Sequence, residues 1–117
     1  MSNDICPFCD TRSLVLIAEN TLAFVLRDKA PVRPLHTLII PRRHIANIFD
    51  ATREEREAVH QLAVEARTAI LLQDAMIEGF NFGSNIGAAA GQVIFHAHVH
   101  LIPRRTGDAP LGAAQPR

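Results

Sequence analysis

Tryptophan and tyrosine are absent from this 117-residue chain, so aromatic packing and any stacking on a base fall to six phenylalanines. Only two cysteines occur, Cys6 and Cys9, too close together to staple much chain, which excludes a disulfide-built small domain. Net charge is also missing. Twelve Lys+Arg cancel twelve Asp+Glu, so no overall field favours nucleic acid or a membrane surface as partner. Lys29 stands alone beside eleven arginines, a bias that suits phosphate-binding guanidinium forks and follows equally from genome composition. No apolar run approaches the ~18 residues of a membrane span. The N-terminal Met1-Ser-Asn-Asp-Ile5 lacks the basic and apolar regions of a secretory signal, and the expectation is a cytoplasmic protein.

What remains is an ordinary globular composition, 48% hydrophobic and 21% charged, at the length of one domain. The order of elements reads as α+β. Leu14–Ile17 and Leu22–Asp28 are apolar runs about the turn-prone Glu19-Asn20, which predicts a hairpin. Lys29–Pro34 is a proline-containing loop, and His36–Pro41 a short β-branched strand. Thr52-Arg-Glu-Glu55 has capping-box spacing, and Val59, Leu62, Ala63, Ala66 and Ile70 then recur at helical spacing to about Gln73. Phe80–Ile86 is a weaker strand. Val93–Ile102 reads as the longest, stopped by Pro103, and the Gly- and Pro-rich residues 106–117 as a loose tail.

Three of the six histidines lie in Phe95-His-Ala-His-Val-His-Leu-Ile102. Strand alternation puts His96, His98 and His100 on one face at ~6.6–6.8 Å spacing, with Phe95, Ala97, Val99 and Leu101 facing a core. Such a face can be simply solvated, can hold a metal, or can do nucleophilic chemistry with a neutral imidazole. The spacing leaves all three open.

The same residues resemble the signature of the histidine-triad (HIT) family: His, apolar, His, apolar, His, apolar, apolar. Gln92, Asn85 and the segment Pro34-Leu-His36-Thr-Leu-Ile-Ile-Pro41-Arg-Arg-His44 fall where that family has similar residues, and the likeness extends over about residues 5–105. The resemblance implies an antiparallel sheet of about five strands, one long helix, a HIT domain over 1–105 and a homodimer. It implies a nucleotide hydrolase in which His98 attacks the α-phosphorus of an adenine nucleotide, forming a nucleotidyl-histidine that water then cleaves. By the same likeness His100 and Gln92 contact the phosphate, the His96 carbonyl orients His98, and His36 lines the site. Transferases of the superfamily have Gln at the third triad position and Pro within the motif. His100 and Ala97 here resemble the hydrolases. The alternatives are a nucleotidyl transferase or phosphorylase, and a nucleotide-binding interaction protein.

Asp28, eight residues before His36, corresponds to the family's ribose-binding acid, although a turn-capping Asp before a proline loop would read the same way. Asn85, thirteen before His98, matches a phosphate- or ribose-contacting Asn. Glycines 79, 83, 87 and 91 surround it and permit positive φ. Two residues depart from the family. Val93 replaces a hydroxyl side chain after Gln92, and Leu35 stands where diadenosine-cleaving members often have Gly.

Cys6-Pro-Phe-Cys9 invites a redox reading, but that motif opens a helix, and here Asp-Thr-Arg-Ser and a β-like run follow. Zinc is the stronger reading, since Cys-x-x-Cys gives half of a closed tetrahedral site. The resemblance to bacterial HIT proteins implies His44 and His96 as the other ligands, a structural zinc knuckle two residues from the nucleophile. His60 receives no role beyond surface or packing.

Overall fold

The computed structural model describes residues 6–110. Five strands form one antiparallel sheet: β1 (Ala18–Glu19), β2 (Ala23–Arg27), β3 (Thr37–Pro41), β4 (Ile77–Gly83) and β5 (Val99–Arg105), in the order β1-β2-β3-β5-β4. One helix, α1 (Arg53–Gln73), joins β3 to β4. Both halves of the expected capping box form: the Thr52 hydroxyl accepts from the Glu55 amide, and the Glu55 carboxylate accepts from the Thr52 amide.

The sheet's alternation sorts its side chains into two layers. Ala23, Val25, Ile39, Val99 and Leu101 pack on Val59, Leu62, Ala63, Ala66 and Ile70 of α1. Phe24, Leu26, Leu38 and Ile40 face the other way and gather Phe8 of the N-terminal segment. His100 is in register with Leu38, so it lies on this second face, away from the helix. The helix covers one side of the sheet, and the histidine lies on the other.

Several boundaries differ from expectation. The first hairpin arm is the two-residue β1 rather than Leu14–Ile17, although the Ile17 amide already donates to the Val25 carbonyl. β4 begins three residues before Phe80 and ends at Gly83 rather than Ile86. β5 begins at Val99 rather than Val93 and continues past Pro103 to Arg105. Pairing with β3 ends at Thr37–Leu101, so only β4 flanks Pro103, and a missing N–H is tolerated at such an edge. Residues 93–98 run alongside 41–46 instead, with the Ala97 amide donating to the Ile45 carbonyl at 2.7 Å. Phe95 is consequently half exposed rather than in the core.

Beyond β5, Asp108 accepts from the Arg105 amide and pairs with Arg33 and Arg104. The rest of the expected loose tail, 111–117, lies outside the described residues. Among the described residues, no helix is long and apolar enough to cross a membrane.

Candidate active site and metal centre

Four predicted ligands converge where the N-terminal segment crosses the 41–46 loop. The His44 and His96 Nδ1 atoms are 3.1 Å apart, and the Cys6 and Cys9 sulfurs lie 3.4 and 3.7 Å from His96 Nδ1. Cys9 Sγ is 3.1 Å from His44 Nδ1, and all four donor atoms lie within 4.8 Å of one another. A tetrahedral zinc with ordinary bond lengths would place nitrogens ~3.4 Å apart and nitrogen and sulfur ~3.6 Å apart, so the cluster needs little adjustment. The second shell agrees. His96 Nε2 donates to the Pro41 carbonyl at 2.7 Å, which leaves Nδ1 with its lone pair toward the sulfurs.

Burial pushes His96 down, toward the neutral form a metal needs. Burial and the neighbouring Cys6 push the Cys9 thiol up to about 11. The Cys9 thiol therefore resists ionisation until a cation sits beside it.

The candidate nucleophile is oriented by the same residue. His98 Nδ1 faces the His96 carbonyl at 2.8 Å. A carbonyl only accepts, so Nδ1 carries the proton and Nε2 keeps the lone pair. Ser84 Oγ donates to the His98 carbonyl at 2.6 Å, fixing the backbone from the β4 side. His100 meets His98 edge-on, with ring centroids 5.0 Å apart.

His36, His100 and Asp28 form a buried chain whose polarity the backbone sets. The Val32 amide donates to His36 Nδ1 at 3.2 Å, so the His36 proton sits on Nε2. That nitrogen lies 2.8 Å from His100 Nδ1, which must accept, and the His100 proton is therefore on Nε2. Asp28 Oδ2 is 3.5 Å from His36 Nε2, and Oδ1 accepts from the Ala30 amide. These three also offer donors within 4.8 Å, but the 2.8 Å separation of the two imidazoles is that of a hydrogen bond.

Asn85 shares a cavity of about 250 Å³ with Ser84 and His100. Gln92 lies in the neighbouring loop, where its backbone amide donates to the Gly87 carbonyl at 3.1 Å. Its side-chain amide donates to the Ala46 and Ile94 carbonyls and accepts from the Gly87 amide, so it braces the 87–92 loop and is buried there. Gly87 and Gly91 in that loop have the positive φ their residue type permits, whereas Gly79 lies in β4 and Gly83 ends it. His60 is exposed on α1.

Sequence reasoning missed two features. The first is an apolar groove of about 510 Å³ on the open face, lined by Phe8, Leu14, Leu26, Leu38 and Ile94 among others. The second is Ser84. The groove's one sequence signal is the phenylalanine between the two cysteines.

A sheet backed by one helix, carrying three histidines on its open face with an orienting carbonyl between the first two, defines a histidine-triad protein. The HIT domain family profile matches residues 12–107, and the chain belongs to that family. An uncharacterised HIT-like protein of Synechococcus elongatus is 36% identical over 97 residues, 83% of this chain and 84% of its own length. The adenylylsulfatase HINT3 of Arabidopsis thaliana is 32% identical across 92% of this chain and 56% of its own. A bis(5'-adenosyl)-triphosphatase of Dictyostelium discoideum is 32% identical across 74% and 58% respectively. Among solved structures, a Zn-bound histidine-triad protein from Mycobacterium smegmatis superposes with a TM-score of 0.80 at 29% identity, covering 92% of this chain and 80% of that one.

Proposed function

We propose that this protein is a nucleotide hydrolase that cleaves at the α-phosphorus of an adenine nucleotide through a covalent nucleotidyl-histidine. The observation that carries the reading is the 2.8 Å contact from His98 Nδ1 to the His96 carbonyl, which aims a lone pair from Nε2. In the first step this pair forms a P–N bond, and the bond from phosphorus to the bridging atom breaks. The leaving group departs with the electron pair, and the His100 Nε2–H, the donor position set by the Val32–His36 chain, hydrogen-bonds the atom on which the charge develops, with any proton an amine leaving group needs coming from solvent. Water then attacks the same phosphorus, the P–N bond breaks, and nucleoside monophosphate leaves. Splitting one displacement into two and surrounding the phosphoryl charge with fixed donors is how such a site lowers the barrier.

The groove beside Phe8 and Leu26 is the apolar receptacle for the base. Asp28 serves the ribose, Asn85 serves the phosphate or ribose, and Gln92 shapes the loop that approaches the phosphate. Zinc in the Cys6, Cys9, His44 and His96 cluster is structural. It holds the residue whose carbonyl orients His98, and no step passes through it. The named relatives support an adenylyl group as the shared portion, since one is an adenylylsulfatase and the other a bis(5'-adenosyl)-triphosphatase. Nucleoside phosphoramidates share that α-phosphorus, so they fall within the same proposal. His100 and Ala97 favour water over a sugar phosphate or inorganic phosphate as acceptor. We also assign a homodimer, supported by the edge position of β4 and by exposed Phe82 and Val64 beside a cleft between β4 and α1. Light scattering should return twice the chain mass.

Hydrolysis of a diadenosine polyphosphate or an adenosine phosphoramidate in ¹⁸O-water tests the mechanism. The label should appear on AMP. Label found only on the other product means attack at a different phosphorus and rejects the mechanism.

A further inference from the structure

We propose that Phe8 is a positioning residue for the nucleophile, and that the Cys6–Cys9 turn exists in part to hold it there. The inference rests on the reading of His98 as the attacking group. The turn is closed by the Cys9 amide donating to the Cys6 carbonyl at 3.3 Å, and the two flanking sulfurs reach the His44–His96 cluster. With both ends pinned, the intervening side chain has one way to go. Phe8 enters the open face of the sheet, is 5% exposed and packs with Phe24, Leu26, Leu38 and Ile40.

The Phe8 ring meets two members of the triad. It stands edge-on to His96 at 5.8 Å and 89°, and to His98 at 5.5 Å and 69°. His98 therefore meets both Phe8 and His100, the latter at 5.0 Å and 74°. Its Nδ1 hydrogen bond sets the tautomer and one direction in the ring plane. A ring pivoting about a single hydrogen bond can still swing its far nitrogen, and Phe8 and His100 together oppose that swing. Displacing a reacting atom by about 1 Å costs on the order of 10²-fold in rate. Phe8 also lines the apolar groove, so its two roles separate kinetically. Loss of a wall weakens binding, whereas loss of the contact with His98 slows the chemical step at saturation.

Phe8→Leu keeps an apolar wall and removes the ring. The rate of nucleotidyl-histidine formation, measured in a single turnover at saturating diadenosine polyphosphate, should fall 10- to 100-fold. The dissociation constant for a non-hydrolysable adenine nucleotide should stay within about threefold, with metal content per chain unchanged. Long-range ¹H–¹⁵N spectra should show the His98 imidazole as one Nδ1–H tautomer in the wild type and averaging in the variant. Phe8→Met makes the same test should the Leu variant fail to fold. Weakened binding at an unchanged saturating rate would reduce Phe8 to a groove wall, and loss of metal would reduce it to knuckle packing. Either overturns the proposal. If ¹⁸O labelling fails to place water on AMP, the hydrolase reading fails, while the His98 spectra still decide whether Phe8 orders that ring.

Discussion

Glu55 is 4% exposed, takes Arg43 in a two-point grip at 3.0 and 2.8 Å, and closes the capping box of α1. The hydrogen bond from Arg43 leads the causes that hold its carboxyl at about 2, against an ordinary 4.5. At 1.36 kcal/mol per unit, this corresponds to ~3 kcal/mol of preference for the charged form in the folded state. The Arg43 side chain is 53% exposed, and water screening roughly halves the figure, to ~1.5 kcal/mol. Glu55→Gln keeps an acceptor for the Thr52 amide, so the cap survives and only the charge is lost. Urea unfolding at pH 7 should show the variant less stable by ~1.5 kcal/mol, about 5 °C in Tm.

The pH dependence has a definite sign. A carboxyl depressed by folding contributes stability above its unfolded value, and the contribution is lost as pH falls through the folded one. Wild type and variant should therefore differ fully above pH ~5 and converge toward pH ~2. A gap that is absent at pH 7, or constant down to pH 2, refutes the pairing as a source of stability. The change should also reach the metal centre, because Arg43 adjoins His44 and ties its loop to the helix. Faster transfer of zinc to a chelator is the expected readout.

Other perturbations act closer to the chemistry. His98→Asn should lower turnover on the order of 10³-fold or more while a non-hydrolysable nucleotide still binds by calorimetry, and near-normal turnover would remove the nucleophile assignment. Purified protein should carry about one zinc per chain, with Cys6→Ser and His44→Ala each losing it and lowering Tm, because metal binding is coupled to folding. Metal-free wild type of unchanged Tm would contradict a structural metal. Leu35 has φ +67° and packs partly against the core, so Leu35→Gly should relieve ~1 kcal/mol of left-handed strain and lose a similar amount of packing. Leu35→Val, branched at a positive φ, should be the less stable of the two by denaturant titration.

The parts of the fold legible in the sequence are those set by local physics. Thr52 and Glu55 announce the start of α1 because the capping box is a reciprocal bond between residues three apart. β2 and β3 follow from short apolar runs bounded by loops. Pro103 misled because a proline's effect depends on what lies beside it. A strand stops where a ladder partner needs the missing N–H, and β3 has already ended there. Val93–His98 misled for the opposite reason. Its alternation is β-like, yet its polar contacts go to Ile45 and Pro41, partners that only the tertiary arrangement supplies. Leu35 is the clearest local conflict. A non-glycine in the left-handed region immediately precedes His36, at the position where diadenosine-cleaving members often have Gly.

The candidate site divides along the same line. Residue types and spacing singled out the three histidines and the two cysteines, and resemblance added His36, His44, Asp28, Asn85 and Gln92. What spacing cannot carry is the direction of each proton. His98 presents Nε2 because Nδ1 is spent on His96 O, and His96 presents Nδ1 because Nε2 is spent on Pro41 O. His100 presents an Nε2 proton because the Val32 amide, two bonds away along the chain of imidazoles, fixes His36. Each choice is made by a backbone group with no side-chain signature. Any residue at position 41 or 32 with the same backbone would do as well, provided position 32 keeps its N–H. Proline at 32 would remove that N–H and free His36 to reverse the chain. Val32→Pro should then weaken catalysis without touching any imidazole, a loss that no motif comparison would anticipate.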